Sequence, residues 1–262
     1  MKHDRLRRAA LACALTFLVA LAAPWARADG TFTPQQKSAI DQAIHDYLVA
    51  HPEAVVDALK AAQQKSDRQA ADDARRIIAA RHQELFDDSD DLVQGDPKGD
   101  ATIVEFFDYR CPYCKEIEPT LDALLIEDKR LRIVYKEFPI LGEASVFAAR
   151  VALAARSQGK YAAFHRAMMA QKGNITDDTV MQVAVAVGLD PAKLKKTMSG
   201  PAIDRIIRAN YALAEALHIQ GTPGLIVGDT VIPGAVDLDT LRKDIAAARK
   251  GGGGSITSSA DR

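Results

Sequence analysis

Cysteine and tryptophan are scarce in this chain, which has three cysteines and one tryptophan among 262 residues. So few cysteines exclude a small domain held together by several disulfides. The N-terminal apolar run, Ala9 to Ala23, is shorter than the roughly 20 residues of a membrane-spanning helix. Histidines at metal-ligand spacing are missing as well, because positions 45, 51, 82, 165 and 218 form no paired motif, and this argues against a zinc site.

The first 28 residues have the features of a secretory signal peptide. Four basic residues between positions 2 and 8 precede the apolar run, and Ala26-Arg27-Ala28 has the small-x-small form of a cleavage site. We therefore predict that residues 1–28 are removed on export and that the protein is periplasmic. A retained membrane anchor is the alternative, which the short apolar run disfavours.

Removal of this segment changes both the charge and the cysteine count. Five of the 34 basic residues and one of the 35 acidic residues are lost. The remaining 29 basic and 34 acidic side chains give a net charge of about −5. An acidic surface argues against nucleic acid as a partner. Cys13 is lost too, so Cys111 and Cys114 remain as a single CxxC pair in an oxidising compartment.

Residues 29–90 are predicted to form an N-terminal helical arm. Thr33-Pro34 reads as an N-cap followed by proline at the first helical position. Between Lys60 and Arg76 the residues favour helix but offer no large side chain for a core. The short apolar patches of this arm either fold back on the main body or meet copies of themselves, and we favour self-association into a homo-oligomer.

Residues 91–250 are predicted to form an α/β domain. The pattern gives a buried strand over Ala101–Phe107, a helix from about Cys111 and a second strand over Leu131–Phe138. A helical insertion follows at about 144–217, and then come two short strands around Gly228-Asp229 and a closing helix. Residues 251–262 are predicted to be a flexible tail.

The CxxC pair carries the chemistry that we expect. Cys111 stands where an N-cap would be and Pro112 occupies the first helical position, so free N–H groups and the helix dipole should stabilise a thiolate and lower its pKa. Cys114, one turn further on, should be the resolving thiol. A structural disulfide closing so short a loop would stabilise little, whereas Cu(I) binding by the same two thiols stays open.

The segment from Phe106 to Lys115, with Cys-Pro-Tyr-Cys at its centre, resembles the active-site segment of the DsbA-like branch of the thioredoxin superfamily. Gly221-Thr222-Pro223-Gly224 resembles the cis-proline loop of that family. The resemblance implies a thioredoxin fold with an inserted helical domain, a cis bond between Thr222 and Pro223, and substrate contact at that loop. It also implies that Glu105 is a buried acid below the active site, with Lys136 on the next strand as its partner.

Within that branch the chain is similar to the ScsC-type (suppressor of copper sensitivity) proteins, which join such a domain to an oligomerising N-terminal segment. Tyr113 inside the CxxC and Thr222 before the proline also favour the ScsC-type resemblance. Gly224 after the proline matches no firm expectation for the family. The resemblance implies a protein disulfide oxidoreductase that needs no cofactor, acts on exported proteins with cysteines and uses a membrane redox partner. We expect isomerase or reductase activity ahead of oxidase activity; the alternatives are a monomeric DsbA-like oxidase and a copper-binding protein.

Overall fold

The computed structural model of the protein describes residues 32–251. The predicted signal peptide, Cys13 within it, and the predicted tail from residue 252 onwards lie outside the described residues. The helices are α1 (Pro34–Ala50), α2 (Pro52–Ala80), α3 (His82–Phe86), α4 (Pro112–Glu127), α5 (Glu143–Ala155), α6 (Tyr161–Ala170), α7 (Asp177–Ala186), α8 (Pro191–Thr197), α9 (Pro201–Ala216) and α10 (Leu238–Lys250). The strands are β1 (Leu92–Gly95), β2 (Ala101–Phe107), β3 (Leu131–Glu137), β4 (Gly224–Val227) and β5 (Thr230–Pro233).

The chain divides into two compact units, the first of which ends at Gln63. It contains α1, whose start is fixed by a capping box: the Thr33 hydroxyl accepts from the N–H of Gln36, and the Gln36 side chain accepts from the N–H of Thr33. No residue of α1 is buried. Its apolar side chains are therefore displayed to solvent in the described chain, with Ile44 52% and Tyr47 57% exposed.

The second unit begins at Gln64, inside α2. The end of α2 and the short α3 bury Ile78, Leu85 and Phe86 in an apolar cluster that also contains strand residues. The unit therefore starts well before residue 90, where the sequence suggested the end of the arm, because these three side chains need the sheet to cover them.

The sheet has the strand order β1-β3-β2-β4-β5. Strands β2 and β3 are parallel, with α4 as their crossover, while β1, β4 and β5 each join by antiparallel pairing. The central strand β2 is buried along almost its whole length, as expected for a strand covered on both faces. This mixed sheet with helices on both faces confirms the predicted thioredoxin fold.

The helical insertion consists of α5 to α9, between β3 and β4. It shares one apolar cluster with one face of the sheet, because buried residues of α5, α6 and α7 belong to the same cluster as Ile103 and Phe107 of β2. The active-site helix α4 belongs to that cluster as well. Within residues 32–251, no helix combines the length and the apolar character needed to cross a membrane.

Candidate active site

The CxxC pair lies where the central strand β2 passes into α4. Asp108 shapes the turn between them: its carboxylate accepts the N–H of Arg110 at 2.7 Å and the N–H of Leu141 at 2.9 Å. The carbonyl of Asp108 accepts the N–H of Cys111 at 3.0 Å. Cys111 is the N-cap of α4 and Pro112 is its first residue, so the helix begins where the sequence predicted.

Cys111 and Cys114 are both free thiols, and both are buried. The pKa of Cys111 is lowered to about 6, mainly by a hydrogen bond from the Cys114 thiol. Burial acts in the opposite direction, while the Thr222 side chain and the N–H groups of Cys114 and Tyr113 lower the pKa further. Cys111 is therefore largely a thiolate at neutral pH, which is the nucleophilic form.

Cys114 has the opposite character. Its hydrogen bond to Cys111 raises its pKa far above the ordinary value, and burial and the charge of Glu105 raise it further. The two thiols thus differ strongly in their readiness to ionise, although they lie within one helical turn. This asymmetry suits Cys111 for nucleophilic attack and favours the protonated form of Cys114.

The Gly221–Gly224 loop lies directly against the attacking thiol. The Thr222–Pro223 bond is cis, as the resemblance implied, and Cys111 Sγ lies 3.1 Å from the carbonyl oxygen of Thr222. A Cβ atom at Gly224 would approach Ile219 Cγ2 to 2.4 Å, so glycine is required there by close packing. The loop and the cysteines form one site, although 111 residues separate Cys111 from Thr222.

Tyr113, between the cysteines, projects outward. It is 61% exposed, unlike most large apolar side chains of this unit. Pro112 is exposed beside it. These two residues form the outer surface of the site, where a substrate chain would make contact.

Glu105 and Lys136 do not form the predicted pair. In the parallel register of β2 and β3, Lys136 stands opposite Phe106, and Glu105 stands opposite Tyr135. Because successive side chains of a strand alternate between faces, the amine and the carboxylate lie on opposite faces of the sheet. Lys136 forms a buried ion pair with Asp91 instead.

Glu105 is fully buried on the face that carries α4, so it is the buried acid that the resemblance implied. Neither of its carboxylate oxygens has a hydrogen-bond partner in the part of the chain that is described. Burial raises its pKa well above the ordinary value, and the charges of Glu118 and Cys111 raise it further. Glu105 acts electrostatically on Cys114, and a buried carboxyl group with a raised pKa can take up or release a proton close to that thiol.

A second buried polar group, which no sequence pattern predicts, links α4 to the helical insertion. His165 of α6 is fully buried, with Nε2 3.6 Å from Glu118 Oε1 and Nδ1 3.3 Å from the Tyr109 hydroxyl. The hydroxyls of Tyr109 and Tyr161 both donate to Glu137 Oε1, at 3.0 Å and 2.9 Å. Tyr109 and Glu118 lie in or near the CxxC segment, but the other three residues belong to no motif and lie far from it in the chain, so only the fold brings them together.

The fold and the thiol pair define the class of DsbA-like thiol-disulfide oxidoreductase domains, and sequence comparison agrees with this. Residues 102–246 match the DSBA-like thioredoxin domain, which is more than half of the chain. The chain belongs to this family. Residues 36–70 match the N-terminal domain of the copper resistance protein ScsC, in agreement with the ScsC-type resemblance of the sequence.

Solved structures support the same family. A thioredoxin-like oxidoreductase from Silicibacter pomeroyi is 45% identical and covers 64% of this chain and 97% of its own, with a TM-score of 0.63. BcfH from Salmonella enterica Typhimurium is 28% identical and covers 82% of this chain and 96% of its own, with a TM-score of 0.70. The second match extends beyond the length of the catalytic domain.

Curated relatives match over only part of their length. A putative protein-disulfide oxidoreductase of Rickettsia conorii is 26% identical over 164 residues, which are 59% of this chain and 58% of that protein. In the Na(+)/H(+) antiporter NhaA 3 of Salinispora tropica, 24% identical, the chain spans only 24% of the length. A DsbA-like segment thus occurs in proteins of different size.

Proposed function

We propose that this protein is a periplasmic thiol-disulfide oxidoreductase that exchanges disulfides with exported proteins, and that it isomerises or reduces them in preference to oxidising dithiols. The observation that carries the exchange chemistry is the opposite perturbation of the two thiols, whereas the preference for isomerisation rests on the N-terminal unit. Cys111, with a pKa of about 6, is ionised at neutral pH, and Cys114 is held protonated beneath it.

The first step is attack by the Cys111 thiolate on a disulfide sulfur of the substrate. A bond forms between Cys111 Sγ and that sulfur while the substrate S–S bond breaks, and the second substrate sulfur leaves as a thiolate. The carbonyl of Thr222, 3.1 Å from Cys111 Sγ, marks the side on which the substrate backbone would lie. Its loop would pair with the substrate as one strand pairs with another, which suits a broad range of sequences.

The mixed disulfide is then resolved in one of two ways. Another substrate thiolate attacks the substrate sulfur, which leaves a rearranged disulfide and regenerates the Cys111 thiolate. Alternatively, Cys114 loses its proton to water or to the ionised form of Glu105 and attacks Cys111 Sγ; the bond between Cys111 and the substrate breaks, the substrate sulfur leaves as a thiolate, and the enzyme disulfide and a reduced substrate result. The first route requires no external reductant, while the second consumes the reduced enzyme, so a membrane redox partner would restore it.

The helical N-terminal unit supports isomerisation. Apolar side chains on α1 and the start of α2 are exposed, among them Ile40, Ile44, Leu48 and Val56, and residues 36–70 match the ScsC N-terminal domain. We propose that this unit joins copies of the chain through these side chains. Several active sites would then act on one substrate at high effective concentration, which favours repeated exchange over a single oxidation.

The decisive experiment is refolding of ribonuclease with scrambled disulfides by the reduced protein lacking residues 1–28, with molar mass measured by light scattering. We expect an oligomer that restores ribonuclease activity. In an Ile44→Asp/Leu48→Asp variant, we expect a monomer that still oxidises or reduces a single peptide disulfide but has lost most isomerase activity.

A matched control is Val185→Asp on α7, whose side chain is 56% exposed in the other unit. It should keep the mass and isomerase activity of the parent protein. A monomeric parent would refute the proposed role of the arm. An oligomeric parent that oxidises reduced ribonuclease but does not rearrange scrambled ribonuclease would make the protein an oxidase.

A further inference from the structure

A cavity of about 570 Å³ opens on the α6 side of the active site. Pro112, the residue after the attacking cysteine, forms part of its wall, and the segment from Met169 to Ile175 forms the opposite side. The cavity therefore borders the segment that carries the reacting sulfur, although neither Cys111 nor Cys114 lines it. The exchange chemistry itself makes no use of this space.

The lining of this cavity has one sign of charge. Among the described residues, those that line it include Arg110, Lys115 and Lys172 but no aspartate or glutamate. The whole chain has a formal net charge of −1, which becomes more negative without residues 1–28. A group of cations without a balancing carboxylate is therefore a local reversal of the overall charge.

Two of the three cations are held in place by the backbone. The Arg110 guanidinium donates to the carbonyl of Leu141, and the Lys115 amine donates to the carbonyls of Met168 and Gln171. Lys172 is exposed at the rim. Cations fixed in advance lose less side-chain entropy when an anion binds, and a concave wall concentrates their field.

From this lining we infer that the cavity is a subsite for an acidic side chain, aspartate or glutamate, that neighbours the reacting cysteine of the substrate. The inference rests on the proposed function and adds a preference among its substrates. The cis-proline loop binds backbone and is indifferent to sequence, whereas this subsite distinguishes substrates by charge. Substrates with a lysine or arginine at that place would be disfavoured by like-charge repulsion.

The test uses short peptides that differ only in the residue before or after a single cysteine, which is glutamate, glutamine or lysine. Each cysteine is joined to thionitrobenzoate by a disulfide, so attack by Cys111 on the peptide sulfur releases a coloured thiolate. The second-order rate constant for the reduced protein is divided by that for 2-mercaptoethanol, which removes differences in intrinsic reactivity. At low salt we expect the glutamate peptide to react about threefold faster than the glutamine peptide, and the lysine peptide to react most slowly.

Two further measurements locate the effect. Lys172→Gln should bring the ratio of glutamate to glutamine rates towards one. Lys196→Gln, which removes an exposed lysine that does not line the cavity, should leave the ratio as in the parent protein. About 0.5 M sodium chloride should reduce the ratio as well, since it screens exposed charges.

The outcomes separate the two proposals. Equal normalised rates for all three peptides would overturn the acidic subsite while leaving disulfide exchange intact. A glutamate preference that is unchanged in Lys172→Gln would overturn its assignment to this cavity. Absence of thionitrobenzoate release from every peptide would refute the proposed function itself.

Discussion

Cys111 Sγ and the carbonyl oxygen of Thr222 are 3.1 Å apart, so the attacking thiol and the cis-proline loop form one surface. The Thr222 side chain also contributes to the low pKa of Cys111. A change confined to this side chain should therefore alter the reactivity of the cysteine without disturbing the fold.

Thr222→Val removes the hydroxyl and retains the shape of the side chain. We expect the pKa of Cys111 to rise from about 6, because one hydrogen bond to the thiolate is lost. The ultraviolet absorbance of the thiolate, followed against pH in the reduced protein, measures this change. Thr222→Ser should keep the parent value, and an unchanged pKa in Thr222→Val would contradict the role of the hydroxyl.

The pH dependence of attack follows from the same pKa. In a Cys114→Ala variant, iodoacetamide can alkylate only Cys111, so the reaction reports on the attacking thiol alone. The substitution also removes the main hydrogen bond to that thiol. We therefore expect the parent protein to be half-reactive near pH 6 and the variant to be half-reactive at a higher pH. A variant with the same midpoint as the parent would show that Cys114 does not stabilise the thiolate.

Glu105→Gln should stabilise the reduced protein at alkaline pH. Burial raises the pKa of Glu105, so its contribution to stability is greatest below the ordinary carboxyl pKa of about 4.3 and is lost as pH rises through the folded-state value. Glutamine removes this dependence, and we expect a gain of about 1–3 kcal/mol in free energy of unfolding at pH 8 and little change at pH 4. Urea unfolding at both pH values measures the difference.

Glu105→Gln should also slow resolution by Cys114, because glutamine has no ionised form that could accept the proton of that thiol. The matched control is Glu116→Gln, which changes an exposed glutamate on α4, the helix that carries Cys114. It should change neither the stability of the protein nor the rate of resolution. A Glu105→Gln variant that is less stable than the parent at pH 8 would mean that the carboxylate is ionised and stabilising in the folded protein.

Lys136→Met tests the buried ion pair between Lys136 and Asp91. It leaves the carboxylate of Asp91 buried without its partner, and we expect a loss of about 3–5 kcal/mol in free energy of unfolding. The Asp91→Leu/Lys136→Met double variant should recover most of this loss. Because Lys136 lies on the opposite face of the sheet from Glu105, the pKa of Cys111 should stay near 6 in the double variant; a large shift would contradict this placement.

Local signals in the sequence predicted much of the fold and the position of the thiol pair at the start of α4. Proline after Cys111 marked the start of α4, and the alternation of strand-forming and turn residues located β2 to β5. Strand β1 was missed, because its few residues beside a turn-rich segment show no alternation of their own. It forms by antiparallel pairing with β3, a contact that no local pattern reveals.

The same limit applies to side-chain partners. The partner of Lys136 depends on which face of β3 it occupies, and this is decided by the register with β2. The contacts of His165 with Glu118 and Tyr109 join α6 to the active-site segment. Such contacts depend on how the helical insertion packs against the sheet, so they require the tertiary structure.

In the proposed mechanism, Cys111 attacks the substrate and Cys114 resolves the mixed disulfide. The most direct test incubates Cys114→Ser with a protein that contains a disulfide and locates any adduct by mass spectrometry under non-reducing conditions. We expect a persistent mixed disulfide at Cys111 in Cys114→Ser, and no adduct with Cys111→Ser. Adduct formation or turnover by Cys111→Ser would contradict it.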